Sequence, residues 1–262
     1  MIAILPMYDL PEIRRVTDAW WGGLARAFRQ AGLRDVPDRL TRDLDLGRGW
    51  RDPALLFGQT CGYPLTHGLP GRVRLVATPC YGAAGCEGSA YRSLVVVRAD
   101  DPAGAFADLL GRTVAINDEE SFSGWHAFRA LIASEVGGGR FFGKVVHTGG
   151  HRASLAAVRA GQADLAAIDC VNHALLARHA PAEIEDTRVL ALTPAAPGLP
   201  WITAASASDE TVARLRDGLF AALADPGLAE VRAILLITGA EVLPLAAYDR
   251  IVALVKQGEA VG

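Results

Sequence analysis

The sequence predicts an α/β protein of two lobes, with parallel-rich sheets flanked by helices and the second lobe inserted into the first. Three observations predict it. Short apolar runs alternate with stretches of helical periodicity from the first residues onward, as in a mostly parallel sheet covered on both faces. The alternation restarts near Asp100 as a compact series of about a hundred residues, an ordinary domain size. A proline-punctuated stretch, "LTPAAPGLPWITAAS", then reads as an extended return segment, followed by helices with too little strand for a third domain.

Taken in order, Ile2 to Leu5 reads as a strand, Pro11 to Ala31 as a long helix, and Leu40 to Leu44 and Leu55 to Phe57 as strands. A helix is expected from Gln59, and strands at Val73 to Ala77 and Leu94 to Val97. The second series begins with a helix bearing Phe106, Leu109 and Leu110, followed by strands at Thr113 to Ile116, Val145 to His147 and Leu165 to Ile168. Helices at Asp209 to Leu223, Leu228 to Leu236 and Leu245 to Lys256 are expected to pack back on the first lobe. The expected organisation is residues 1–97 with 200–262 as an outer lobe and 98–199 as an inserted lobe. Two crossing segments, near Val97 and Leu199, make a hinge, and a ligand cleft is expected between the lobes.

Two strand-to-helix junctions carry the chemistry. In "INDEESFSGWHAFRALIASE" the apolar positions Trp125, Phe128, Leu131 and Ile132 have helical spacing, which makes Ser123 a natural N-cap. In "KVVHTGGHRASLAAVRAGQADLAAIDC" a short apolar run leads through Thr148, Gly149, Gly150 and His151 into a helix closed by Gly161. The first N–H groups of a helix lack partners within it and carry partial positive charge, so such a turn readily holds a small anion. Right-handed crossovers put both turns at one edge of a parallel sheet. Each residue also has a plainer role. Ser121 and Ser123 serve as turn and cap, His151 as a helix-surface residue, Asp169 as the cap of the next helix, and Tyr63 and Trp201 as core aromatics.

Composition narrows the class. A chain of 262 residues, 51% hydrophobic and 21% charged, has an ordinary globular composition and is not disordered. A net charge of −3 without a Lys/Arg cluster argues against nucleic acid or an anionic membrane as partner. No run is long enough to span a bilayer, so direct membrane insertion is not expected. The start, "MIAILPMYDLPE", has neither the basic nor the long apolar region of an export signal, so either a signal was removed or the protein works without export. Cys80 and Cys86 bracket "YGAAG" and can pair in an oxidising compartment, whereas Cys61 and Cys170 are expected as small buried residues. Neither the cysteines nor the histidines show a metal-ligand spacing, and no metal or cofactor is expected.

The stretches "LLFGQTCGYPL", "YRSLVVV", "LLGRTVAINDEESFSGWHAFR", "TGGHRASLAAVRAGQADLAAID" and "PGLPWITA" together resemble the phosphonate, phosphite and phosphate-binding family of ABC-importer substrate-binding proteins, which are type II periplasmic binding proteins. The similarity runs over nearly the whole chain. It implies a periplasmic protein without catalytic activity that binds a small phosphorus oxyanion and delivers it to a permease. It also implies that Ser121, Ser123 and Gly124 bind the oxyanion from one side, and Thr148, Gly149, Gly150 and His151 from the other turn. Tyr8, Gln59, Thr60 and Tyr63 fall where the outer lobe contributes, and Asp169 where the family places an acid. Such an acid accepts a hydrogen bond from a protonated ligand oxygen and repels sulfate. Relatives usually carry serine where this chain has Gly150. Arg92 is placed either on the ligand or on an acid across the hinge. The alternative class is a cofactor-biosynthesis enzyme or sensor on the same fold, binding a thiamine- or menaquinone-related precursor. A hydrolase built on Cys170 with His173 or His151 is weaker still, because no orienting acid or oxyanion glycine accompanies them.

Overall fold

The structure, a computed structural model, describes residues 1–261. In chain order it begins with β1 (Ile2–Ile4), α1 (Arg14–Gln30), α2 (Leu46–Arg51), β2 (Leu55–Gln59) and β3 (Val73–Tyr81). Then come β4 (Ala90–Tyr91), β5 (Ser93–Arg98), β6 (Thr113–Ile116), α3 (Ala127–Val136), β7 (Lys144–His147), α4 (His151–Arg159) and β8 (Leu165–Asp169). The rest is α5 (Cys170–His179), β9 (Thr187–Leu192), β10 (Ala196–Pro197), β11 (Trp201–Ala204), α6 (Asp209–Ala224), α7 (Ala229–Ile234), β12 (Ile237–Glu241) and α8 (Asp249–Gly258). The chain divides into two compact units, Met1–Gly82 with Pro197–Ala247, and Ala83–Ala196 with the chain from Tyr248 onward.

The first unit holds one sheet in the order β1-β2-β11-β3-β12. β1 and β2 are parallel, β11 lies antiparallel between β2 and β3, and β12 is antiparallel to β3. Every residue of β2 and β11 is buried, as central strands require. α1 buries Trp20, Trp21, Leu24 and Phe28, and Phe57 sits between the rings of Phe28 (centroids 5.2 Å apart) and Trp201 (5.9 Å). A fully buried aromatic of this kind contributes about 2–3 kcal/mol through apolar burial alone.

The second unit holds a sheet in the order β7-β6-β8-β5-β9. β6 is parallel to both β7 and β8, while β5 runs antiparallel to β8 and β9. Its core gathers Val95, Val97, Val114, Ile116, Phe128 and Leu165.

The unit boundaries differ from the expected ones. β5, expected in the outer lobe, belongs to the second unit because the apolar run Leu94 to Val97 is buried between β8 and β9. α8 also leaves the outer group: Gln257 donates to the Ala130 carbonyl at 3.2 Å and Arg129 to the Val261 carbonyl at 2.6 Å, fixing it on α3. The chain therefore passes between units after Gly82, Ala196 and Ala247: the crossing expected near Leu199 is found, but the first falls at Gly82 and not near Val97, and a third follows Ala247. Leu40 to Leu44 is not a strand. Thr41 N–H bonds the Ala3 carbonyl, but Arg42 turns onto Asp9 (2.6 Å) and Asp18 (2.8 Å) and ends the pairing. No helix opens at Gln59, which finishes β2; a single wide turn follows only at Pro64–Gly68. Around Phe106 the expected helix is one short turn, Phe106–Leu109.

The cysteines also differ. Cys80 lies on β3 with its sulfur 3.8 Å from Glu241 Oε1, and the neighbour of Cys86 is Cys170, at 3.4 Å between sulfurs. All four cysteines are free thiols, so the pairing left open for Cys80 and Cys86 is not formed. Cys170 is buried as expected, whereas Cys61 is half-buried.

Candidate functional site

The parallel strands β6, β7 and β8 bring their C-terminal ends to one edge of the second unit's sheet, as the two turns required. At the first turn Ser121 Oγ accepts the Gly124 N–H at 3.0 Å, and the His126 N–H reaches back to the Ser121 carbonyl at 3.2 Å. One wide helical turn, Phe122–His126, therefore precedes α3. The cap is Ser121 and not Ser123. Ser123 is buried and instead meets His151 Nε2 at 3.0 Å, which joins the first turn to the second.

The second turn is fastened to the end of β6. Thr148 and Gly149 donate their N–H groups to the carbonyls of Ile116 (2.9 Å) and Asn117 (2.8 Å). Gly149 has φ +84°, where a side-chain-bearing residue is strained. Thr148 Oγ1 donates to the Ile116 carbonyl at 2.9 Å and contacts Ser154 Oγ at 2.7 Å, while Ser154 Oγ reaches Asn117 Oδ1 at 3.2 Å. Asn117 and the fully buried Ser154 are thus fasteners of the site that sequence reasoning missed. The readable signal was a polar serine on the inward face of an otherwise apolar helix.

His151 Nδ1 is sealed from solvent without a hydrogen-bond partner, and Nε2 shares a hydrogen bond with the Ser123 hydroxyl. Burial lowers the imidazole pKa to about 4, so His151 is neutral at pH 7. A hydroxyl has one proton to donate. Ser123 shares its bond with His151 and the Thr148 proton goes to the Ile116 carbonyl, whereas the bond at Ser121 uses only a lone pair and leaves its O–H as a donor. The Gly124 N–H is taken by that same cap. Gly150 stands at the N-cap of α4 without a side chain, and the first-turn N–H groups behind it point outward from the helix.

Asp169 ends β8, is fully buried, and its Oδ1 accepts from the N–H groups of Val171 (2.8 Å) and Asn172 (3.0 Å). It caps α5. Arg92 donates to the Thr193 carbonyl at 3.0 Å, a contact inside the second unit. The Cys170 thiol is held well above its usual range by Cys86, by burial and by the Asp169 carboxylate. Burial lowers the His173 pKa.

The expected contributors from the first unit lie on its own strand ends. Tyr8 meets Tyr81 edge-on, 5.1 Å between centroids, and Gln59 Nε2 donates to Tyr81 Oη and the Leu199 carbonyl, both at 3.1 Å. Tyr8, Gln59, Tyr81 and Trp201 line a cavity of about 30 Å³, room for a water molecule. Thr60 is fully buried, with its N–H on the Pro200 carbonyl at 3.1 Å. Tyr63 stacks on His67 at 4.2 Å, and Trp201 is a core aromatic. Among the described residues, no three His, Cys, Asp or Glu side chains gather as a metal site, and no helix is long and apolar enough to cross a membrane.

Two α/β units, one with hydrogen-bonded polar turns at its strand ends, define the class as a binding protein of the type II periplasmic fold. Comparison with known proteins identifies the family. The model of the ABC transporter, phosphonate, periplasmic substrate-binding protein family matches residues 62–248, and the chain belongs to that family. A search of curated proteins returns no match. Among solved structures, a binding-protein component of an ABC phosphonate transporter from Pseudomonas aeruginosa matches with a TM-score of 0.76 at 18% identity, covering 98% of this chain and 86% of that one. PhnD1 from Prochlorococcus marinus in complex with methylphosphonate matches with 0.75 at 13% identity, covering 99% and 98%. A Xanthomonas citri protein bound to ATP matches with 0.71 at 17% identity, covering 98% and 96%.

Proposed function

We propose that this chain captures a small phosphorus oxyanion, a phosphonate, phosphite or phosphate, and delivers it in the periplasm to the permease of an ABC importer. The observation that carries the proposal is the joining of the two polar turns through Ser123 and His151 at one sheet edge, in a member of a phosphonate-binding family. In this reading the Ser121 hydroxyl and the first-turn N–H groups of α4 donate to the oxyanion, with Gly149 and Gly150 letting the backbone approach. Ser123, Gly124, Thr148 and His151 shape the same turns. Asp169 accepts a hydrogen bond from a protonated ligand oxygen, which disfavours sulfate.

Calorimetric titration with methylphosphonate, phosphite, phosphate, sulfate and ATP tests this. Tight binding of at least one phosphorus oxyanion, with sulfate rejected, is expected; binding of ATP alone or of none of the five removes the proposal. Asp169→Asn sharpens it. Asparagine caps a helix about as well as aspartate, so stability changes by only a few tenths of a kcal/mol while the preference over sulfate shrinks. An unchanged ligand ratio takes Asp169 out of the site.

A further inference from the structure

Cys86 and Cys170 are used by none of the chemistry above, yet their sulfurs lie 3.4 Å apart across 84 positions of sequence. Both belong to the second unit. The approach depends on Gly85, whose φ is +103°. A Cβ there would stand 3.0 Å from Cys170 Cβ and 3.3 Å from its sulfur, tight enough that the neighbour would have to shift by a few tenths of an ångström. Both thiols sit on anchored backbone. The Cys86 N–H closes a turn on the Ala83 carbonyl at 2.9 Å, and the Cys170 N–H bonds the Arg92 carbonyl at 3.1 Å at the start of α5.

We propose that Cys86 and Cys170 are a redox-active thiol pair that a disulfide-bearing oxidant converts into an intramolecular disulfide, tying the loop after Gly82 to the first residue of α5. Cys86 is half-buried and Cys170 is 1% exposed, so the oxidant meets Cys86 first. The hydrogen bond shared with Cys170 lowers the Cys86 pKa, which favours the thiolate that attacks. The Cys86 thiolate attacks one sulfur of the oxidant's disulfide, and the other sulfur leaves as a thiolate. Cys170 then gives up its proton to that leaving thiolate, and its sulfur attacks Cys86 and expels the second sulfur as a thiolate, which takes up the proton Cys86 had released to solvent. In sum two protein thiols lose two electrons and two protons, and one disulfide is reduced to two thiols. The resulting bond sits one residue beyond Asp169, so it fixes the end of the sheet edge that carries the candidate site. It also closes a long loop, which restricts the unfolded chain.

The test takes the whole purified chain, fully reduced, and exposes it to oxidised glutathione. Of the four thiols, two are expected to disappear, with non-reducing peptide mapping joining Cys86 to Cys170. Cys80→Ser leaves this result intact, whereas Cys86→Ala abolishes the bond. Gly85→Ala slows its formation by pushing the loop from Cys170. A stable glutathione adduct on Cys86, a bond involving Cys61 or Cys80, a link between molecules, or four thiols still reactive after unfolding would each overturn the proposal.

Discussion

The two turns at the edge of the second unit follow neighbouring parallel strands, yet they are built oppositely. After β6, a side chain closes the turn: Ser121 caps Gly124, and Ser123 is buried against His151. After β7, the Thr148 hydroxyl fastens the start of the turn but backbone forms its helix end: Gly149 turns at φ +84°, Gly150 caps without a side chain, and a Cβ on Gly150 would meet nothing within 4 Å. The first turn is therefore tightly specified by hydroxyls and the second open at its helix end. In the proposed function, an oxyanion draws its side-chain donor from one turn and its backbone donors from the other.

The largest effect that tests this division belongs to Ser121. Ser121→Ala removes both the cap and a hydroxyl proton not directed at the protein, so affinity for the preferred phosphorus oxyanion falls by about 1.5–3 kcal/mol. Stability falls by about 1 kcal/mol. Titration and urea unfolding read the two separately. Loss of stability with unchanged affinity means that the first turn is only structural.

A smaller effect concerns His151, the link between the turns. Its folded pKa of about 4 lies below the ordinary 6.5, so the unfolded chain takes up the proton first. The associated stability is complete above pH 6.5 and is lost as pH falls toward 4; His173, also lowered by burial, adds in the same direction. Unfolding free energy measured across that window is expected to decline by an amount on the order of 2–3 kcal/mol. His151→Gln keeps a hydrogen bond to Ser123 but does not titrate, so its decline is shallower. An identical slope in wild type and variant places the proton uptake elsewhere.

What the sequence made legible follows the same contrast. Apolar runs and helical spacing located β6, β7 and β8 and both turns, because local patterning and turn chemistry decide them. Resemblance located the family. The partners of individual hydroxyls were not legible: Ser123 reads as a cap from its neighbours alone, but its contact is made by a ring 28 positions away. Asn117 and Ser154 escaped for the same reason. The unit to which β5 and α8 belong also depends on long-range packing. The run Leu94 to Val97 looks the same whichever sheet receives it, and only its pairing with β8 and β9 assigns it. Cys86 and Cys170 meet across a fold that spacing in sequence does not display.

The smallest expected effect removes the contrast itself. Gly150→Ser gives the second turn the hydroxyl that the resemblance places there in relatives. The backbone accepts it, since φ of 176° is extended and the added Cβ has open space around it. Serine replaces glycine at an N-cap with a gain of only a few tenths of a kcal/mol, so unfolding should hardly change. Ligand binding has more to gain. A hydroxyl at the mouth of α4 adds one donor to the backbone N–H groups already directed there, worth about 0.5–1.5 kcal/mol for an oxyanion partner. Affinity for methylphosphonate or phosphate is therefore expected to rise by about threefold to tenfold. If the variant is as stable as the wild type but binds no better, the second turn contributes through its backbone alone, and the missing serine carries no weight in ligand choice. If it binds worse, the space at Gly150 is occupied by the ligand itself, and the chain prefers a bulkier phosphorus compound than either probe.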